Sequence, residues 1–306
     1  MNIERLATYL SGQTKIKNTD LLAKDAYLQG LLIELARDGY FKKNFVLKGG
    51  TCLIKAYFGY YRFSEDLDFS WIDQQIYNGK SGKQVRKLLS KEINETITII
   101  SSISEKLGLD FKPEKHNKRY IELGGSNRFA TFKLWYKLPN RPEGFIKIQI
   151  NFVEKFFYKF KELELKPIVE DINKKEIEIL LPEEAYILIE RPKMKAYNLK
   201  EIAAEKIRVV LTRRGTKARD VIDLYLLSKK GISIKKVRKE AVEKIKAMLR
   251  YMKYSKNIMA KELGGKSDIE KERYLLIDNL GDDFWKFSES VQDELKEIAK
   301  EVITKI

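Results

Sequence analysis

The sequence has a single cysteine, Cys52, and a single histidine, His116. One cysteine excludes an internal disulfide and fits a reducing cytoplasm, the expected location. One histidine excludes multi-histidine metal centres. Any metal here must be held by oxygen ligands, which points to Mg²⁺ or Mn²⁺. No apolar run approaches the roughly 18 residues of a membrane span. The start, MNIERLATYL, carries an acid early and has no apolar signal core, so neither secretion nor a membrane partner is expected. Low-complexity segments and internal repeats are missing. So is the G-x-x-x-x-G-K-[ST] phosphate loop.

Charge is plentiful. Lys and Arg number 60 against 44 Asp and Glu, a formal net charge of +16. Such a balance suits a polyanionic partner. A lysine-rich surface without that partner gives the same number, so charge alone decides nothing. The 306 residues suffice for a full core and two domains.

Hydrophobic periodicity divides the chain. Residues 4–40 read as helices, with Leu6, Tyr9 and Leu10 and then Leu21, Leu22, Tyr27, Leu31, Leu32 and Leu35 at three- and four-residue steps. FVLKGG (45–50) is a short strand ending in a turn, and TCLIKAYF (51–58) fits a helix with Thr51 near its start. DLDFSW (66–71) alternates, with Leu67 and Phe69 facing one way and Asp66 and Asp68 the other. Residues 82–107 read as a helix and KPEKHNKRY (112–120) as a polar connection. Two alternating strands follow, one through Ala130, Phe132, Leu134, Tyr136 and Leu138, the other through Ile146, Ile148, Ile150 and Phe152. A further strand is expected around IEIL (177–180), with a helix start at PEEAY (182–186). From about 194 helical periodicity dominates, with Ile234, Val237, Ala241, Ile245, Leu249 and Met252 as one stripe; ELGGKSD (262–268) and DNLGDD (278–283) break the tail. The expectation is an α+β unit over 1–190, a small mixed-sheet palm with flanking helices, followed by an all-helical domain over 191–306.

The chemistry concentrates in FVLKGGTCLIKAYFGYYRFSEDLDFSW (45–71). Asp66 and Asp68 lie two apart on a strand, so both carboxylates leave one face. Like charges so close repel. A divalent cation between them removes the repulsion and can be shared with substrate phosphates. Gly49 and Gly50 permit close backbone approach. The N–H groups opening the next helix favour an anion, and Thr51 and Ser64 can add hydroxyls. A phosphate cradle plus a metal is the minimum for moving a phosphoryl or nucleotidyl group. Taken singly, the glycines are an ordinary turn and the aspartates an ordinary surface pair; their joint order is the informative feature.

That order of strand, GG-[ST], helix and D-x-D strand resembles the nucleotidyltransferase superfamily related to DNA polymerase β. More narrowly, FVLKGGTCLIKAYFGYYRFSEDLDF is similar to the AbiEii/AbiGii toxin family of nucleotidyltransferases. EIAAEKIRVVLTRRGTKARDVIDLYLL (201–227) resembles that family's second block, a helix bearing A-E-K, then an arginine, then R-D-x-x-D. The resemblance implies an enzyme that uses Mg²⁺ or Mn²⁺ and an NTP, a tRNA 3′ end or other RNA as acceptor, and an antitoxin encoded alongside. It draws Lys206, Asp220 and Asp223 into the catalytic set beside Asp66 and Asp68, and Lys206 and Arg214 into the NTP-binding set with Gly49, Gly50, Thr51 and Ser64. A lysine point charge suits a triphosphate, and an aspartate can orient the attacking hydroxyl or act as base. On spacing alone, Lys206 pairing with Asp220 or Asp223 across an inter-helix seam is equally good. Arg214 and Arg219 are candidates for phosphate contacts or plain surface charges.

Two departures stand out. A neighbouring palm strand often adds a third carboxylate, whereas the polar face of IKIQINF (146–152) offers Lys147, Gln149 and Asn151. The gap from Thr51 to Asp66 is slightly long for the wider superfamily. The alternatives are a transferase acting on a protein or small molecule, and a degenerate nucleotide- or RNA-binding module. Cys52, Trp71 and Trp135 read as packing residues and His116 as solvated. Trp135, on the polar side of its strand, is also a possible base-stacking platform.

Overall fold

The computed structural model describes residues 1–249, 252–261, 272–277 and 279–304. Two compact units emerge: Met1–Glu154 with Phe160–Ala196, and Lys155–Lys159 with Tyr197–Ile306.

The first unit opens with helices α1 (Ile3–Gln13), α2 (Thr19–Arg37) and α3 (Gly39–Asn44). Asn18 starts α2 by accepting from the amides of Asp20 and Leu21, which satisfies donors no helix can pair internally. Leu22, Leu28, Leu31, Leu32 and Leu35 are fully buried along it. Strand β1 (Phe45–Lys48) runs straight into α4 (Gly49–Cys52), whose turn widens into a π-helical stretch over Leu53–Phe58. Then come β2 (Asp66–Trp71), α5 (Gly82–Lys106), β3 (Ile121–Gly124), β4 (Phe129–Tyr136), β5 (Gly144–Asn151), β6 (Lys161–Glu164), α6 (Lys174–Leu180), α7 (Ala185–Ile189) and β7 (Lys193–Ala196).

The strands form one seven-stranded mixed sheet in the order β3-β4-β5-β2-β1-β7-β6, an α+β arrangement as expected. β2 is parallel to β5 and β1 to β7; the other neighbours are antiparallel. Period-two alternation explains the two faces. Leu67, Phe69, Ala130, Phe132, Leu134, Ile146, Ile148 and Ile150 are fully buried. Asp66, Asp68, Lys147, Gln149 and Asn151 are half-exposed on the other side. Phe41 stacks on Phe45 at 4.3 Å and Phe45 meets Trp71 edge-on at 5.2 Å, so α3 seals the core end of β1 and β2.

Three readings need correction. Residues 177–180 are helical, not a strand. Asn173 caps α6 by accepting from the Glu176 amide. Ile177 and Leu181, four apart, are buried while Ile179 is 80% exposed, a helical spacing that an alternating strand cannot produce. Strands β6 and β7, four residues each, were not expected; β6 has no alternation, whereas in β7 Met194 and Ala196 are buried and Lys193 and Lys195 are not. The stripe from Ile234 holds through Val237, Ala241 and Ile245, but Leu249 is only half-buried and Met252 is exposed. The break expected at 262–268 lies outside the described residues, as does residue 278 of the second break.

The second unit contains α8 (Leu199–Thr212), α9 (Ala218–Lys229), α10 (Ile234–Leu249), α11 (Met252–Met259) and α12 (Asp282–Ile303). A buried charge cluster explains why residues 155–159 belong to it. The amides of Phe157 and Tyr158 both donate to the Glu201 carboxylate at 2.9 Å. Lys244 on α10, also buried, pairs with Glu201 at 2.9 Å and donates to the Lys155 carbonyl at 2.7 Å. Buried charges persist only when paired in this way.

Candidate active site

The site in the first unit is organised by strand register. Lys48 on β1 is opposite Asp68 on β2, and Asp68 is opposite Gln149 on β5; on the next rung Asp66 is opposite Lys147. Register partners share a face, so Lys48, Asp68 and Gln149 form one row of the polar face.

The two glycines make room for side chains of this same chain. Gly49 holds φ +75°, where a Cβ would lie 2.5 Å from Asp68 Oδ2. A left-handed backbone already favours glycine, and here the missing Cβ also lets the carboxylate lie against the turn. A Cβ on Gly50 would run into the Arg62 guanidinium and come within 3.2 Å of Ser64 Oγ. The Thr51 hydroxyl donates to the Asp66 carbonyl at 2.6 Å, tying the turn to the first residue of β2. Thr51, Arg62 and Lys48 are all buried. Arg62 donates from Nη1 to the Phe63 carbonyl at 2.7 Å.

Beyond β5, Glu154 pairs with Lys48 at 3.4 Å and accepts from the Asn151 amide at 3.4 Å. Gln74 sets this loop: it accepts the Glu154 amide at 2.8 Å and donates to the carbonyls of Trp71 and Phe152. The acid nearest in sequence after β5 is thus engaged with Lys48, while Gln149 stands beside Asp68. Among the described residues no group of three His, Cys, Asp or Glu is placed to hold a metal. Asp66 and Asp68 are the carboxylates that β2 presents on this face, and a pair of carboxylates suffices for a Mg²⁺ ion that keeps its waters and takes substrate phosphates.

Behind the turn, the π-helical stretch carries Lys55, fully buried. Its ammonium pairs with Asp25 of α2 at 3.0 Å and donates to the Tyr60 hydroxyl; Tyr60 donates in turn to Asp25 at 2.9 Å. Burial pushes Lys55 down against the pull of Asp25, and burial together with Asp25 pushes Tyr60 well up. The cost of burying this charge is offset by three mutual contacts, and the result fixes the helix after the glycine turn onto α2.

In the second unit α8 and α9 bring Lys206 to both acids of the R-D-x-x-D segment, Asp220 Oδ1 at 2.7 Å and Asp223 Oδ2 at 2.6 Å. Arg213 adds a contact to Asp220 Oδ2 at 2.7 Å. Burial raises the Asp220 carboxyl, but Lys206 and Arg213 outweigh it and hold the group below its ordinary value. Asp223 is fully buried. Arg214 is exposed, beside Gly215 at φ +72°. The Arg219 amide donates to Glu272 at 3.0 Å and its guanidinium faces the same carboxylate.

Sequence reasoning passed over Lys48, Arg62 and Glu154. The available signals were a lysine inside an otherwise apolar strand and a lone arginine among the aromatics of YFGYYRF (57–63). Neither says what the charge meets.

A comparison with curated proteins gives no match. A family model described as nucleotidyl transferase AbiEii toxin, type IV toxin–antitoxin system, matches residues 31–301, which takes in the glycine turn, both strand aspartates and the Lys206 cluster. The chain therefore belongs to the AbiEii nucleotidyl transferase toxin family, whose membership of a toxin–antitoxin system implies an antitoxin partner.

Proposed function

We propose that the chain transfers a nucleotide from an NTP to an acceptor hydroxyl, with a tRNA 3′ end as the acceptor. The acceptor oxygen bonds to the α-phosphorus, the bond to the bridging oxygen breaks, pyrophosphate leaves, and the hydroxyl proton passes to a base. The observation that carries this reading is the Asp68 carboxylate lying against Gly49, with Asp66 beside it on the same strand face. Asp66 and Asp68 would hold Mg²⁺ or Mn²⁺, which when bound supplies neutralisation of triphosphate charge. The chain's own contribution is positional. Thr51 fixes the turn on Asp66; the amides at Gly49 and Gly50 and the Ser64 hydroxyl receive phosphate oxygens; Arg62 adds positive charge beside Gly50. The second unit's candidates are those the R-D-x-x-D resemblance adds: Lys206 for the triphosphate, Asp220 and Asp223 for the attacking hydroxyl, and Arg214 for phosphate.

A second reading rests on Gln149. An amide in register with Asp68 leaves the face one acid short, which favours a module that binds nucleotide or RNA without turnover.

Label transfer separates them. Protein, Mg²⁺, total tRNA and each α-labelled NTP are incubated beside the Asp66→Ala/Asp68→Ala double variant. The expected result is label on RNA with wild type alone, abolished by EDTA and restored by excess Mg²⁺. Equal transfer by the double variant sinks the site. Label on polypeptide moves the acceptor to protein. NTP binding with no label on anything selects the second reading.

A further inference from the structure

The polar face of the sheet continues sideways from the aspartates into a layer of rings and cations. Trp135 on β4 is directly opposite Phe145 on β5, and Lys133 is opposite Lys147 one rung along. Lys147 is itself the register partner of Asp66. Neighbouring strands are about 4.8 Å apart and same-face residues about 7 Å apart along a strand, so these side chains share the face of the carboxylates at close range. The Trp135 and Phe145 rings are 4.7 Å apart and tilted by 50°. The Arg119 guanidinium lies 4.1 Å over the Trp135 ring, and Lys147 Nζ lies 5.3 Å from the Phe145 ring. Trp135 Nε1 donates to the Arg119 carbonyl at 3.0 Å, which holds the layer together.

Both rings are half-exposed on the face opposite the apolar core. Packing alone does not call for large rings there. The cations are not idle: Arg119 pairs with Glu143 at 2.7 Å and Asp110 at 3.4 Å, and Lys133 pairs with Glu122 at 2.5 Å. The Arg119 pairs are solvent-exposed, and exposed pairs are worth little; Lys133, 18% exposed, also donates to the Lys118 carbonyl at 3.2 Å. Stacked rings interleaved with lysine and arginine are the chemistry that binds single-stranded nucleic acid, with bases on π faces and backbone on cations. An acidic peptide would use the cations and leave the rings without a role.

We propose that Arg119, Lys133, Trp135, Phe145 and Lys147 form the docking surface for the single-stranded end of an RNA acceptor. A base stacks on the Arg119–Trp135–Phe145 layer, and Lys133 and Lys147 take backbone phosphates. This rests on the transferase reading above for its role in the reaction, but not for the binding itself.

The test uses the full chain and a fluorescent single-stranded RNA of about 12 nucleotides. Trp135→Ala/Phe145→Ala is expected to weaken binding about tenfold to a hundredfold, to raise KM for RNA, and to leave NTP affinity unchanged. Lys133→Gln/Lys147→Gln is expected to flatten the slope of log affinity against log salt by about 1.4. Trp135→Phe, which keeps a ring, should restore most of the affinity and guards against a folding defect. Ring variants that fold and bind RNA as wild type does overturn the proposal, as does binding by wild type of an acidic peptide but not RNA. Ring-dependent RNA binding without label transfer sustains the docking surface and rejects the transferase reading. Label transfer to RNA that is indifferent to both double variants does the reverse.

Discussion

Gly49, Thr51 and Asp68 show how much of this site is decided atom by atom. The Asp68 carboxylate occupies the space a Cβ on residue 49 would need. The Thr51 hydroxyl spends its proton on the Asp66 carbonyl. Thr51→Val keeps the shape and removes that donor, leaving a part-buried carbonyl without it. A stability loss of about 1–3 kcal/mol is expected, with reduced label transfer because β2 is no longer pinned to the turn. Thr51→Ser should recover most of both. Denaturant unfolding and transfer assays on the two variants check this; equal behaviour of Val and Ser would mean the hydrogen bond is idle. The residue types here were legible because GG-[ST] and D-x-D are local patterns. Their use was not: the glycines accommodate Asp68 and Arg62, which approach only through the turn at 59–65 and the β1–β2 pairing.

Among the elements, the π-helical stretch after the glycine turn is held by the Lys55–Asp25–Tyr60 network. Removing one partner of a buried pair strands the other. Lys55→Met should therefore cost about 3–5 kcal/mol, while Lys55→Met combined with Asp25→Leu should recover a large part of it. Chemical denaturation of the single and double variants measures the coupling; additive losses would show that the pair contributes nothing specific. The elements themselves were mostly readable. Alternation gave β2, β4 and β5 because each has one face in the core and one in solvent. It failed at 177–180, where Ile177 and Ile179 mimic alternation but the Asn173 cap and the Ile177–Leu181 spacing make a helix. It was silent on β6 and β7, short strands whose partners lie far along the chain.

For the whole molecule, the balance of charge sets solution behaviour. The surplus of +16 is compatible with an RNA partner, yet many lysines and arginines are already committed to carboxylates. Asp220 is one such acid, its carboxyl held below the ordinary 3.8 by Lys206 and Arg213 against the effect of burial. A lowered folded value contributes stability that is present above 3.8 and is lost as pH falls through the folded value. Arg213→Met weakens that hold and raises the folded value. The acid-unfolding midpoint, followed by circular dichroism, should then move to higher pH, with little change near neutrality beyond the loss of one partly exposed ion pair. An unshifted midpoint would mean that Arg213 does not stabilise the ionised acid.

What the sequence by itself determined is what short-range physics controls. Alternation puts Asp66 and Asp68 on one face, glycine permits the turn at Gly49, and helical spacing marks α2, α5 and the start of α10. Cysteine and histidine counts restrict any metal to oxygen ligands. Tertiary structure alone decided the rest. It put Gln149 beside Asp68, Glu154 on Lys48, Arg62 over Gly50, and Arg119 on Trp135. It joined Lys206 to Asp220 and Asp223 at once, where spacing allowed either. These are contacts between residues up to 106 positions apart. Their partners are chosen by strand register and chain path, which depend on the burial of the whole core rather than on any local pattern.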